Sequence, residues 1–179
     1  MSLFPACRAF VPAFLCGHGD MLVYLVPSLA LAFLIRLLAA THPVFFIFTL
    51  AGTLCHELAH FCVGWLTGAA PTSLSVIPRR AGQHWQLGSV SLSRVRWYNA
   101  APAALAPLLT ILLPLGVAWW RTRGAWMFEP RDMALALLLA PQFLSCWPSP
   151  SDWRTAARSW PYLVIFAILG GLLFQIVRA

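Results

Sequence analysis

The sequence predicts an all-α polytopic membrane protein, with about five transmembrane segments and a small β-hairpin region between the second and the third. Hydrophobic residues make up 60% of the 179 positions and charged residues only 9%, whereas charged residues make up about 25% of a soluble domain. Apolar runs recur between short polar segments. All the basic residues are arginines, which stand singly or in pairs between those runs. Arginines spaced in this way are typical of residues that orient a protein in a lipid bilayer, and not of a nucleic-acid-binding surface.

The apolar segments approach the length of about 20 residues that crosses a bilayer. They lie at about 21–40, 43–66, 100–120, 133–147 and 161–177 of a single membrane-embedded domain, 1–179. The fourth is short for a crossing and ends at Pro148, because proline cannot continue a helix. Residues 1–20 contain prolines and glycines and are predicted to form an interfacial segment, and His42 is predicted to lie in a loop.

The long polar stretch at residues 69–99 shows a period of two. Leu74, Val76, Val90 and Leu92 alternate with serines. This alternation predicts a β-hairpin or a small sheet at the membrane surface. It is also compatible with a solvated connector. We favour an edge strand to which an extended peptide could add.

The second apolar segment contains His56-Glu57-Leu58-Ala59-His60. Histidines four residues apart on a helix project from one face, so both imidazoles can reach the same cation. Glu57 projects about 100° away, where a carboxylate can hold a water beside that cation without ligating it. Polar and charged side chains at membrane depth are costly and mark functional sites. The pattern predicts a zinc metalloprotease with its site inside the bilayer.

A catalytic zinc site has three protein ligands and one open position. Five alternating crossings would place the amino terminus, the polar stretch and residues 148–160 on one side, which holds seven of the 12 arginines and is therefore assigned to the cytosol. His56 would then lie about 20 Å from the outer face, and the fourth segment would break after about 22 Å. Asp152 follows that break and is the predicted third ligand. The alternative is a surface aspartate that pairs with Arg154 or caps a turn.

The motif and the later aspartate resemble the site-2 protease group of intramembrane metalloproteases. The matching residues are His56-Glu57-Leu58-Ala59-His60 and Asp152, ninety-two residues further on. More weakly, Ala100-Ala101-Pro102 and Leu105-Ala106-Pro107 are similar to that group's helix of small residues and prolines. Pro-Ser-Pro-Ser-Asp-Trp replaces the usual Leu-Asp-Gly, and no PDZ-like domain is expected. The resemblance implies zinc held by two histidines and an aspartate within the bilayer.

We therefore expect Zn²⁺ at these three ligands, with Glu57 as the general base that hydrolyses a peptide bond in or near a transmembrane segment. Asn99 and His84 are candidates for binding substrate or stabilising the oxyanion, and a structural role is the simpler interpretation of each. The expected partners are the lipid bilayer and a membrane-protein substrate with a transmembrane helix. The expected location is a bacterial inner membrane, with the active site toward the cytosol.

Two alternatives stay open at the level of sequence. In one, the third ligand of a zinc protease is Glu129, although Pro130 disfavours the helix that such a ligand needs. In the other, the protein is a non-proteolytic zinc-binding membrane adaptor or regulator. The presence of Glu57 argues against the second alternative, because a purely structural zinc site needs no general base.

Overall fold

The computed structural model describes residues 19–41, 47–81, 84–124 and 126–178. Most of the predicted interfacial segment, the loop histidine His42 and the start of the second predicted span lie outside the described residues. The helices are α1 (Gly19–Thr41), α2 (Leu50–Leu66), α3 (Trp97–Leu105), α4 (Leu112–Thr122), α5 (Pro130–Ser145), α6 (Pro150–Ala156) and α7 (Trp160–Arg178). The strands are β1 (Pro71–Ser75), β2 (Arg79–Ala81), β3 (His84–Gln86) and β4 (Ser89–Leu92). Two 3₁₀ helices, Ala106–Ile111 and Ala157–Ser159, join α3 to α4 and α6 to α7.

Three helical stretches in the described part of the chain are long and apolar enough to cross a membrane: Gly19–Ala39, Ile47–Leu66 and Trp97–Thr122. A fourth is obtained if Pro150–Tyr162 and Val164–Ile176, bent by 66°, form one broken span. The predicted segment at 133–147 is the helix α5, whose 16 residues extend about 24 Å and fall short of a bilayer core of about 30 Å. The structure therefore supports three or four candidate spans and not five.

The predicted small sheet is confirmed, as two nested antiparallel pairs. β1 pairs with β4, with Leu74 opposite Val90 and serines opposite serines on either side. β2 pairs with β3 between them. The period of two thus places like residues opposite one another in the outer pair.

The turn from α2 into β1 is set by Gly68, whose φ of 74° lies in the left-handed region that favours glycine. The N–H of Gly68 donates to the Trp65 carbonyl at 3.2 Å, and the N–H of Ala69 donates to the Gly64 carbonyl at 2.7 Å. These two bonds form a Schellman motif, which satisfies carbonyls at the end of α2 and starts the strand.

The chain divides into two compact units, Met1–Cys55 with Leu109–Trp147 and His56–Leu108 with Pro148–Ala179. In the first unit, α1 and α5 run in the same direction. The Tyr24 hydroxyl donates to Asp132 at 3.0 Å near the start of both helices, and Ala32 and Ile35 pack on Ala140 further along. Small residues such as these alanines let two helices approach closely.

Parallel packing of α1 and α5 corrects the predicted topology. Five alternating crossings would make the first and fourth segments antiparallel and would separate the start of α1 from the turn between α4 and α5. Instead Arg121, at the end of α4, bonds to Asp132, which also accepts the Tyr24 hydroxyl. The start of α1, the end of α4 and the start of α5 therefore meet. The count of arginines assumed alternating crossings, so it no longer assigns the cytosolic side of the membrane.

In the second unit, α3 packs against α6. Ala101 and Ala104 form a small buried core with Ala156. The buried Ser159 hydroxyl donates to the Trp97 carbonyl and accepts from the Ala101 N–H at 2.8 Å. Small apolar contacts, to which Leu105 adds, and one buried hydroxyl thus hold α6, which carries Asp152, beside α3.

Candidate metal centre

Two histidines of α2 and one aspartate of α6 come together in the second unit. The Nε2 atoms of His56 and His60 are 3.2 Å apart. His60 Nε2 is 3.4 Å from Asp152 Oδ1, and His56 Nε2 is 3.7 Å from Asp152 Oδ2. These are the three residues that the sequence proposes as ligands, and the structure places them in one cluster.

The spacing of these atoms suits a cation. One ligand atom from each side chain lies within 4.8 Å of the others. Bonds of about 2.0–2.2 Å to nitrogen and oxygen in a tetrahedral site put neighbouring ligands about 3.3–3.6 Å apart, close to the distances between the three side chains. Three sets of lone pairs that face one another also repel unless a proton or a cation lies between them. His56, His60 and Asp152 could therefore hold a metal ion.

His60 is oriented by a main-chain carbonyl. Its Nδ1 lies 2.7 Å from the carbonyl oxygen of Ala103 in α3, and the side chain is almost completely buried. A carbonyl only accepts hydrogen bonds, so Nδ1 carries the proton that it donates to Ala103. In the neutral imidazole the lone pair is then on Nε2, which faces His56 and Asp152. This is the usual arrangement of a histidine that binds a metal.

Asp152 is oriented by the helix that it begins. Ser149 caps α6 and Pro150 occupies its first turn, so Asp152 stands at the third helical position. Its Oδ2 accepts the Ser149 N–H at 2.7 Å, and the Ser149 hydroxyl accepts the Asp152 N–H at 3.3 Å. These reciprocal bonds form a capping box.

The capping interpretation and the ligand interpretation of Asp152 therefore both describe the structure. The backbone bond engages Oδ2, while Oδ1 faces His60. Within the described residues, the ion-pair neighbours of this carboxylate are the two imidazoles and not Arg154. The cap fixes the carboxylate in place and leaves it directed at the histidines.

Glu57 is buried, with 7% of its surface exposed, and its carboxylate interacts electrostatically with both histidines and Asp152. The connection between β3 and β4 covers it closely. A Cβ atom on Gly88 would lie 2.6 Å from both Cγ and Oε1 of Glu57. A larger residue at this position would have to displace the glutamate, so Gly88 lets the start of β4 lie directly on it.

Asn99 and His84 are the two predicted helper residues. Asn99 is buried, and its amide accepts the Arg96 N–H at 2.7 Å and donates to the Arg94 carbonyl at 3.1 Å. These bonds hold the turn between β4 and α3, which is the structural role considered from the sequence. His84 lies in β3 opposite Ala81.

Glu129, the alternative third ligand, and its neighbour Asp132 both pair with arginines. Arg121 binds Asp132 through two nitrogens, each 2.8 Å from a carboxylate oxygen. This guanidinium holds the pKa of Asp132 well below its usual range, with the Glu129 N–H and the Tyr24 hydroxyl adding to the effect. Glu129 pairs with Arg131 at 2.8 Å and lies 3.8 Å from Arg121. Glu129 and Asp132 thus form an ion-pair network of their own with Arg121 and Arg131.

Comparison of the chain with protein-family models, with curated proteins and with solved structures finds no match in any of the three. Membership of the site-2 protease group therefore stays a prediction from the motif residues. The evidence for a metal site is the cluster itself.

Sequence reasoning considered a cap at Asp152 without naming Ser149 as its partner, and it missed two other contacts of this cluster. Ser149 and Asp152 match the capping-box pattern of serine followed three residues later by an acid, so a local signal was available. The contact of Gly88 with Glu57 and that of Ala103 with His60 join residues 31 and 43 positions apart. Such contacts depend on tertiary packing, and the sequence shows only a glycine and a proline-rich helix.

Proposed function

We propose that the protein is an intramembrane zinc metalloprotease, which hydrolyses a peptide bond in or near a transmembrane segment of a membrane protein. The observation that carries the proposal is the convergence of His56, His60 and Asp152 beside the buried carboxylate of Glu57. A site that only stabilised the fold would have no use for a fourth polar group at this position.

Zinc is the proposed ion because two imidazoles and one carboxylate, with a fourth position left open, form a known type of catalytic zinc site. When bound, zinc would supply a Lewis acid and lower the pKa of water at the open position toward neutrality. Nδ1–H donation by His60 and the capped carboxylate of Asp152 keep two of the ligands in the orientation that binding needs.

Glu57 is the proposed general base. It would accept a proton from the attacking water and deliver it to the leaving amine. Its burial beneath Gly88 limits its movement, so the carboxylate is held in one place beside the ligands. Substitution by glutamine keeps the shape of the side chain and removes the ability to accept a proton.

Substrate access follows from the location of the motif. The helix that carries both histidines belongs to the apolar stretch Ile47–Leu66, and a substrate helix in lipid has all its backbone groups hydrogen-bonded. We expect a substrate to unwind locally and to lie extended beside the site. β4 begins immediately after Gly88, so a peptide that added to the β1–β4 sheet would lie close to Glu57.

The test uses the full chain purified in detergent. Wild-type protein is expected to bind one zinc ion per chain, and His56→Ala and Asp152→Ala are expected to lose it. Asp20→Ala, which removes the same type of side chain from the first turn of α1, is the matched control. Retention of zinc by both ligand variants would refute the proposed site.

Activity is tested with a single-span reporter protein whose apolar segment is interrupted by Gly-Pro. Wild type is expected to cleave it, and Glu57→Gln is expected to bind zinc and cleave nothing. Full cleavage by Glu57→Gln would refute the assignment of the base.

A second candidate is a zinc-binding membrane regulator without protease activity. The observation in its favour is the sequence around Asp152, where Pro-Ser-Pro-Ser-Asp-Trp stands in place of Leu-Asp-Gly. This candidate predicts one zinc ion per chain in wild type and in Glu57→Gln, with no cleavage of the reporter by either.

A further inference from the structure

The histidine ligand His60 depends on a carbonyl that a regular helix would not leave available. In an α-helix, each carbonyl accepts the N–H of the residue four positions later. For Ala103 that residue is Pro107, which has no N–H. α3 accordingly ends at Leu105, and the chain continues as the 3₁₀ helix Ala106–Ile111.

The site uses the vacant acceptor. Ala103 is fully buried, as is Pro107, so water cannot easily take the place of the missing helical donor. A buried carbonyl without a partner is unfavourable. His60 Nδ1, 2.7 Å away, fills this position.

We infer that Pro107 is a positioning residue for the metal site. By removing one N–H from the helix, it reserves the Ala103 carbonyl for His60 and so fixes which ring nitrogen of His60 carries the proton. Nε2 then keeps its lone pair directed at His56 and Asp152. The inference deepens the proposed function, because it rests on Nε2 as a ligand.

The effect on binding is tested with Pro107→Ala, which returns an N–H to the helix where it can compete for the Ala103 carbonyl. Loss of such an outer contact weakens metal binding by about 10-fold to 100-fold. We expect a loss of this size in zinc affinity, measured by competition with a chelator on the full chain in detergent. Pro114→Ala is the matched control, because Pro114 is equally buried and belongs to the same apolar stretch, Trp97–Thr122. It is expected to leave zinc affinity unchanged.

The proton position gives a readout that general destabilisation would not change. In metal-free wild type labelled with ¹⁵N-histidine, His60 is expected to carry its proton on Nδ1, with its signal assigned by loss in His60→Gln. Pro107→Ala is expected to shift the population toward Nε2–H, while Pro114→Ala retains the wild-type tautomer.

The outcomes separate this inference from the proposed function. Equal zinc affinity and equal tautomer populations in wild type and Pro107→Ala would overturn the role of Pro107 and leave the metal site intact. Absence of zinc binding by wild type would refute the proposed function, while the tautomer would still test the role of Pro107. If Pro107→Ala does not fold, the inference is tested by the tautomer of His60 in wild type alone. A proton on Nε2 of His60 would overturn it.

Discussion

Gly88→Ala tests whether the position of Glu57 matters for the proposed chemistry. The new Cβ would lie 2.6 Å from Cγ and Oε1 of Glu57 and 2.9 Å from Cδ. Ordinary contacts between such atoms are about 3.5–4.0 Å, so the glutamate must move by about 1 Å to accommodate the methyl group. The affected atoms belong to a side chain with rotatable bonds, and therefore the backbone of β4 can stay in place.

A displacement of this size matters more for catalysis than for stability. Misplacement of a catalytic group by about 1 Å can lower the rate by about 100-fold, whereas overpacking of a buried site typically destabilises a protein by about 1–3 kcal/mol. We expect Gly88→Ala to lower kcat on the Gly-Pro reporter by about two orders of magnitude. Zinc content should be unchanged, because the three atoms nearest to the new methyl group all belong to Glu57 and not to a proposed ligand.

The assay compares reporter cleavage and zinc content in wild type, Gly88→Ala and Gly116→Ala. Gly116 is the matched control, because a Cβ there meets no atom within 4 Å. Wild-type activity in Gly88→Ala would show that the position of Glu57 is not critical and would refute the reasoning. Loss of zinc together with activity would also count against it, since the damage would then extend beyond the glutamate.

Two further predictions concern the first unit. Asp132→Asn leaves Arg121 without its bidentate partner and should lower the melting temperature in detergent. Because the folded-state pKa of Asp132 is depressed, the stability it contributes is fully present above its unfolded pKa of about 3.9 and is lost as the pH falls through the folded value. The melting difference between wild type and Asp132→Asn should therefore shrink on acidification below pH 4, and a difference that grew instead would contradict this assignment. Gly52→Ala should destabilise the protein by about 1–3 kcal/mol, because its Cβ would overlap the Pro141 carbonyl oxygen. Gly171→Ala, with no atom within 4 Å, should melt like wild type, and equal melting of Gly52→Ala would refute the close approach.

Local patterns predicted the local structure. The apolar runs identify the helices that are long enough to cross a membrane, and the period of two in residues 71–92 identifies the outer strand pair. Gly68 ends α2 as its conformational freedom suggests. Each of these features depends on residues close together in the chain, so their physical causes are visible in the sequence.

The direction of helix packing was not predictable in the same way. Alternation of crossings assumes that every apolar segment spans the membrane, but α5 is only 16 residues long. The parallel direction of α1 and α5 is set instead by the contacts of Tyr24 with Asp132 and of Ala32 with Ala140. No pattern within either helix specifies these pairs.

The position of Asp152 depends on both a local sequence pattern and the packing of helices. The depth argument selected it by assuming an alternation that the structure does not have. The structure brings it to the histidines by other means: Ser149 caps α6 and orients the carboxylate, and Ala156 packs α6 against the alanines of α3. The residue could be proposed from its type and its position after a helix break, but its contacts with the imidazoles required the packing of α3 and α6.

The cluster of His56, His60 and Asp152 also shows how a chain with few charged residues can orient polar side chains. Only 9% of the residues are charged, and the group bonded to Nδ1 of His60 is not a carboxylate. The partner is the main-chain carbonyl of Ala103, and the partner of Asp152 is the main-chain N–H of Ser149. Both groups lie where a helix is interrupted, one before Pro107 and one at the start of α6. An interrupted helix exposes main-chain donors and acceptors without adding a charge to an apolar environment, so helix breaks can orient polar side chains where charged residues are few.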